Sequence, residues 1–142
     1  MIRVVLDTNI VVSAALSPAG PPAMVLVLAA YGVIEVWYSK AIIAEYKEVL
    51  FRDRVGVLRP QAKRTLRDLM AISRHVEPKQ TVRVSPDPDD NIFLECAQAA
   101  KAHYLITGNI SDFPARWKYT RVVTPRQFIG EFGVLLTSSQ SQ

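Results

Sequence analysis

Four carboxylates stand along this chain where they could share one task. Asp7 closes the apolar run Ile2-Arg3-Val4-Val5-Leu6 and opens Asp7-Thr8-Asn9. A short apolar run ending in an acid reads as a buried strand with a carboxylate at its C-terminal tip. In open α/β sheets ligands bind just beyond that tip. Glu45, Asp90 and Asp112 recur in settings that could bring them to the same rim. Two like charges about 4 Å apart repel by roughly 4 kcal/mol at an effective dielectric of 20, so several carboxylates at one rim require protons or cations between them. An all-oxygen donor set suits Mg²⁺ or Mn²⁺. Such ions generate hydroxide and neutralise charge on a phosphate under attack. The sequence offers no histidine cluster or cysteine pair for zinc. His75 and His103 are expected near helix C-termini, where the dipole accounts for them.

Each acid also has an ordinary explanation. An α-helix advances about 100° per residue. On a helix from Lys40, residues Ile42, Ile43, Tyr46, Val49 and Leu50 form the inward stripe, and Glu45 falls on its border. That position suits reach toward the sheet edge, and it equally suits a Glu at the solvent boundary. Asp90 stands at a helix start, where Asp is a favoured cap. Asp87 and Asp89 compete for that capping role, and Asp89 is the alternative to Asp90 in the site. Asp112 alone would be an unremarkable loop acid.

The elements that must position these residues follow from the hydrophobic pattern. Strands are expected at Ile2–Leu6, 33–38, 104–107 and 121–123. Helices are expected over about 9–16, 23–31, 40–52, 60–75, 91–103 and 125–132. Ser17-Pro18-Ala19-Gly20-Pro21-Pro22 is a loop whose prolines start the next helix. Residues 82–84 extend the sheet or lie in a loop, and 108–114 form a loop or a single helical turn. Alternation of strands and helices implies a mainly parallel sheet of four to five strands covered on both faces. Right-handed crossovers put the strand ends on one edge, so Asp7 should neighbour Thr107, Asn109 and Asp112 if the strands at Ile2–Leu6 and 104–107 are adjacent.

The chain of 142 residues fits one domain, residues 1–136, with a polar tail at 137–142. Hydrophobic content of 49% supports a folded core. The longest apolar stretch, 23–30, is too short to span a bilayer. The opening Met1-Ile2-Arg3 lacks a signal-peptide layout. Cys96 is the sole cysteine, which excludes an internal disulfide and points to a reducing compartment, the cytoplasm. The charge of +4, from 17 Lys+Arg against 13 Asp+Glu, leans only slightly toward an anionic partner.

Taken in order, the motifs resemble the PIN-domain ribonucleases, in particular the VapC-like toxin branch. They are Val4-Val5-Leu6-Asp7-Thr8-Asn9, Ala44-Glu45-Tyr46, Asp87-Pro88-Asp89-Asp90-Asn91-Ile92-Phe93-Leu94-Glu95-Cys96-Ala97, Tyr104-Leu105-Ile106-Thr107-Gly108-Asn109-Ile110-Ser111-Asp112-Phe113 and Val123-Thr124-Pro125-Arg126-Gln127-Phe128. The resemblance implies a PIN-like three-layer α/β sandwich with a metal-dependent acidic pocket. By matching position, Asp7, Glu45, Asp90 and Asp112 would be its catalytic, metal-holding acids, and Thr8, Asn9, Thr107 and Asn109 its supporting polar residues. Many relatives carry Asp where this chain has Asn109, and an amide brings no charge. The implied activity is Mg²⁺- or Mn²⁺-dependent endonucleolytic cleavage of single-stranded RNA. A small antitoxin and a homodimer are the implied protein partners, with no membrane.

A possible RNA track lies on the helix after Pro60, where Arg59, Lys63, Arg67 and Arg74 fall within about 80° of one another. A solvated basic face is the alternative. Arg116, Trp117, Lys118 and Tyr119 form a basic-aromatic patch expected near the site, suited to stacking on unpaired bases or to a dimer contact. Two rival functions remain. A non-catalytic RNA- or protein-binding module would keep the fold. An aspartyl-nucleophile phosphohydrolase would place a second Asp two residues after Asp7, where this chain has Asn9.

Overall fold

Strand β1, Ile2–Leu6, is the centre from which the architecture grows. Val4, Val5 and Leu6 are fully buried, because helices cover the sheet on both faces. The computed structural model describes the backbone of residues 1–140 and the side chains of residues 1–133. After β1 come α1 (Thr8–Leu16), α2 (Pro21–Ala30), β2 (Ile34–Tyr38), α3 (Lys40–Leu50), α4 (Arg59–Ile72), β3 (Arg74–His75), α5 (Pro88–Ala100), β4 (Tyr104–Ile106), β5 (Arg116–Trp117), β6 (Thr120–Val123) and α6 (Pro125–Gln140). Short 3₁₀ turns occupy Asp53–Val55 and Ile110–Asp112.

The sheet order is β3-β2-β1-β4-β6-β5. All pairings are parallel except the β5–β6 hairpin. This is the PIN-like three-layer α/β sandwich, with six strands where four to five were expected. The two additions are the two-residue edge strands β3 and β5. Neither is long enough to show alternation in the sequence.

Chain direction explains the layers. The path β1→β2 through α1 and α2 moves one way across the sheet, and β3→β4 through α5 returns the other way. Right-handed crossovers therefore place these helices on opposite faces. Helix α5 lies on β1, β2 and β4, while α2 packs on β2, α1 and α6. Between them sit Leu6, Ile10, Ile42, Tyr46, Leu50, Phe93, Leu105 and Phe128, each at most 1–2% exposed. Cys96 is buried in this core, and burial pushes its thiol up to about 12. Among the described residues no single helix is long and apolar enough to cross a bilayer.

Several boundaries differ from expectation. Helix α4 stops at Ile72, and 74–75 leave it to pair with Trp37 and Tyr38. His75 is thus on an edge strand, held by Glu77, rather than at a helix C-terminus. His103 accepts from the Arg3 N–H through Nδ1 at 3.0 Å. Residues 82–84 form a loop. Helix α5 starts earlier than expected, with Asp87 as cap and Pro88 as its first residue. Helix α6 stays helical through Gln140, into the stretch expected to be a polar tail; residues 141–142 lie outside the described residues.

Candidate active site

The register brings β1, β4 and β6 to one level at Leu6, Ile106 and Val123. The next residues, Asp7, Thr107 and Thr124, therefore stand together at the carboxyl edge. The Asp7 N–H donates to the Ile106 carbonyl at 3.0 Å and the Thr107 N–H to that of Val123 at 2.9 Å, which locks the level. Tyr46 adds a brace that the sequence pattern assigns only to the core. Its buried hydroxyl donates to the Leu6 carbonyl at 2.5 Å, fixing α3 under the β1 tip. Glu45, half-buried as its border position implies, is thereby delivered to the same rim.

Asp7 is only 7% exposed and almost fully committed. Its Oδ1 accepts from the Thr8 N–H at 2.7 Å, capping α1. Its Oδ2 accepts from the Thr107 hydroxyl at 2.7 Å and the Asn9 amide at 3.1 Å. Thr107, with no exposed surface, also accepts from the Asn109 N–H at 3.0 Å. The Asn9 carbonyl oxygen accepts from the Gly108 N–H at 3.0 Å, and a Cβ on Gly108 would sit 3.4 Å from that oxygen. Asn9, Thr107 and Asn109 thus support Asp7 or its neighbours. Thr8 does so through its backbone, while its buried hydroxyl has no partner among the described residues.

Asp87, not Asp90, caps α5, its Oδ1 accepting from the Asp89 N–H at 2.9 Å. The competition among the three acids of that turn is resolved this way, and Asp90 is left half-buried in the first helical turn. The Ser85 hydroxyl lies 3.4 Å from Asp90 Oδ2 and 3.3 Å from the Asp112 carbonyl oxygen. It therefore bridges the two segments. Ser85 is positioned by Asn91, a 7% exposed residue whose Oδ1 accepts from the Val84 and Ser85 N–H groups and whose amide donates to the Ser85 carbonyl. Ser85 and Asn91 were missed in the sequence. The only available signal was a polar Asn on the inner side of a helix start.

The electrostatics identify which acids meet. Burial raises the Asp7 carboxyl above its ordinary range, its hydrogen bonds only partly offsetting this, and Asp112 pushes it further up. Burial also lifts Asp90 to about 6, with repulsion from Asp87, Asp7 and Asp112 adding to it. Glu45 is raised by burial, then by Asp89 and Glu48, and also by Asp7. Asp7, Asp90 and Asp112 thus form one mutually repelling set, with Asp112 on an exposed 3₁₀ turn. Glu45 joins from the side, closest electrically to Asp89. The four side chains do not close into a ready ligand shell. Among the described residues no three His, Cys, Asp or Glu side chains are grouped tightly enough to hold one metal ion.

The donor set still fits a hard divalent cation in its chemistry. Every candidate ligand is an oxygen, and three of the four acids are pushed toward protonation by burial, with neighbouring carboxylates adding to it. Mg²⁺ keeps several of its waters and needs few direct carboxylates.

The expected basic surfaces lie further away. Lys63 and Arg67 are exposed on α4, with Arg67 beside Asp68 at 3.3 Å. Arg74 is not on that helix; it is on β3 and paired with Glu35 at 3.2 Å. Arg116 is opposite Arg121, three strands from β1, at the level of Val4. Trp117 and the turn after it lie beyond, toward the amino edge of the sheet, so this patch is not beside the acids. The hairpin runs away from the carboxyl edge because β5 is antiparallel.

Comparison with known proteins agrees with the architecture. The family model described as PIN domain matches residues 3–111. The uncharacterized protein MJ1680 of Methanocaldococcus jannaschii is 30% identical over 143 aligned residues, covering 92% of each chain. A crystal structure of VapBC2 from Rickettsia felis, bound to a DNA fragment from its promoter, superposes with a TM-score of 0.56 at 17% identity. That match covers 78% of this chain and 90% of the other.

Proposed function

The chain belongs to the PIN-domain family, a family of nucleases, and from that premise we propose that it is a metal-dependent endoribonuclease of single-stranded RNA. The observation that carries this reading is Asp7. It is buried at the tip of the central strand, oriented by Thr8, Asn9 and Thr107, and pressed by Asp112. Asp7 and Asp90 would hold Mg²⁺ or Mn²⁺, with Glu45 and Asp112 completing the shell directly or through water. When bound, the ion supplies an activated water and neutralises charge on the scissile phosphate.

The chain's own residues do the positioning. Thr107 and Asn9 fix one oxygen of Asp7 while the Thr8 N–H fixes the other, so the carboxylate cannot turn. Ser85 holds Asp90 in register with the 112 segment. Asn9 carries an amide, held by Asp7 and Gly108, where an aspartyl-nucleophile mechanism would need a second carboxyl. Lys63, Arg67, Arg74 and Arg116 remain outlying candidates for RNA contact.

The motif resemblance, together with a fold shared with the VapBC2 structure, supports a toxin with a cognate antitoxin; a homodimer in the cytoplasm is what the motif resemblance alone implies. One observation favours the rival binding module: among the described residues no three acids are grouped closely enough for one ion. Purified protein incubated with labelled single-stranded RNA separates the two. Cleavage with Mg²⁺ or Mn²⁺, lost in Asp7→Asn, supports the hydrolase. RNA binding with neither cleavage nor calorimetric uptake of either ion would leave the binding module.

A further inference from the structure

A cavity of about 510 Å³ opens directly beside the acid web. Asn9, which donates to Asp7 Oδ2 at 3.1 Å, lines it together with Asn109. Pro21 and Pro22, both half-buried, give it an apolar wall, and Arg126 also lines it. Arg126 is exposed and makes no ion pair or side-chain hydrogen bond among the described residues. Arg52, Arg74 and Arg121 are instead paired with Glu48, Glu35 and Glu131. The lining therefore combines a flat apolar wall, amide donors and acceptors, and one uncompensated cation. Proline rings carry no N–H, so that wall suits a ring face rather than a polar group. A cation at one end and amides between match a nucleotide: phosphate, then sugar and base edges, then the base plane.

We propose that this cavity is a nucleotide subsite of the same active site. It seats the nucleotide adjoining the scissile phosphate, with its phosphate on Arg126 and its base against Pro21 and Pro22. The inference rests on the ribonuclease reading and adds the grip that the acid cluster cannot supply. A negative rim repels RNA, and a cation three residues past the end of β6, in the first turn of α6, offsets that repulsion locally. Arg126 is also much nearer the acids in the fold than Arg116, whose strand lies at the outer edge of the sheet.

The test uses a short fluorescein-labelled single-stranded RNA, read by anisotropy without metal and by cleavage with Mg²⁺ or Mn²⁺. Arg126→Ala should raise Kd and KM by about five- to tenfold and reduce the salt slope of binding by about 0.7–1, with kcat within about twofold. Arg126→Lys should restore most of the affinity. An RNA abasic at the nucleotide next to the cleaved bond should lose affinity for the wild type as well. Unchanged KM and salt slope in a folded Arg126→Ala protein would overturn the subsite while leaving the hydrolase in place. If the wild type binds the RNA but cuts it with neither ion, the hydrolase reading fails, and an Arg126-dependent Kd still supports the subsite. If it neither binds nor cuts, both are overturned.

Discussion

Two acids on the same edge of the sheet live under opposite conditions. Glu77 follows β3, and its Oε1 accepts from the Lys40 N–H at 2.8 Å and faces His75 Nε2 at 2.6 Å. Those contacts hold its carboxyl below the ordinary range. Asp90 and Asp7, at the β1–β4 end of the edge, are raised by burial, with Asp112 adding to both and Asp7 also to Asp90. Glu77 has its compensation built into the chain. The Asp7 set has hydrogen bonds to fix its direction, and among the described residues Asp7, Asp90 and Asp112 make no ion pair. A protein that buries like charges together and leaves them uncompensated is stabilised by whatever cation arrives. That contrast locates the site better than the count of acids does.

The sharpest way to break the comparison is to neutralise its centre. Asp7→Asn keeps a good helix cap but removes the central charge, and cleavage should fall by about 100-fold or more. Circular dichroism and melting should show a folded protein. A folded variant that cuts RNA at the wild-type rate would mean that the web around Asp7 serves only structure.

A smaller effect should come from the residue that aims Asp7. Thr107→Val keeps the shape and deletes the hydroxyl that donates to Oδ2 and accepts from the Asn109 N–H. Loss of such an outer support typically costs about 10–100-fold in activity or metal affinity, and about 1–3 kcal/mol of stability for the group left unpaired. A merely structural role would not move the pH profile. With the hydroxyl gone, Asp7 is harder to ionise, so the acid limb of the rate profile should shift to higher pH. Thr107→Ser should return it.

How much of this was legible beforehand depends on whether the signal was local. Asp7 could be read because an apolar strand ending in an acid is a local pattern, and the direction of parallel strands follows from their alternation with helices. The β3 and β5 edges could not, since two residues carry no periodicity and form strands only because Trp37 or Thr120 lies alongside. Arg74 was assigned to the wrong element for that reason. Ser85, Asn91 and the Tyr46 hydroxyl act on partners up to 40 positions away, and composition does not encode such partners. The Asp87–Asp90 turn showed too many acids for one cap, but only the position of Pro88 at the helix start decides which of them caps.

Next in size is a stability effect of opposite sign at the two ends of the edge. Asp90 has its folded pKa raised from 3.8 to about 6. Its contribution to stability is therefore fully present below its unfolded pKa and is lost as pH rises through about 6. Asp90→Asn should raise the melting temperature of the metal-free protein at pH 7–8, by an amount equivalent to about 1 kcal/mol after discounting for solvent screening. The gain should shrink as pH falls through 6. Glu77 has its folded pKa lowered, so its contribution is present above the unfolded value and is lost as pH falls through the folded one. Glu77→Gln should accordingly lower the melting temperature at neutral pH, and the difference should fade in acid. Matching signs for the two variants across pH 4–8 would erase the distinction drawn between these acids.

The smallest expected effect lies on α4. Lys63 and Arg67 are exposed, and Arg67 is partly neutralised by Asp68 beside it. Surface charges of this kind are cheap to keep and weakly held, so their exposure alone does not distinguish a track from a solvated face. The Lys63→Glu/Arg67→Glu double variant does, because each phosphate contact on a single strand releases roughly 0.7 counterions. If RNA runs from the acid edge onto α4, binding should weaken several-fold at low salt. The slope of log K against log salt should flatten by about 1.4, while kcat at saturating RNA stays unchanged. An unaltered slope would confine the RNA footprint to the sheet edge and make the basic face of α4 a solubilising surface.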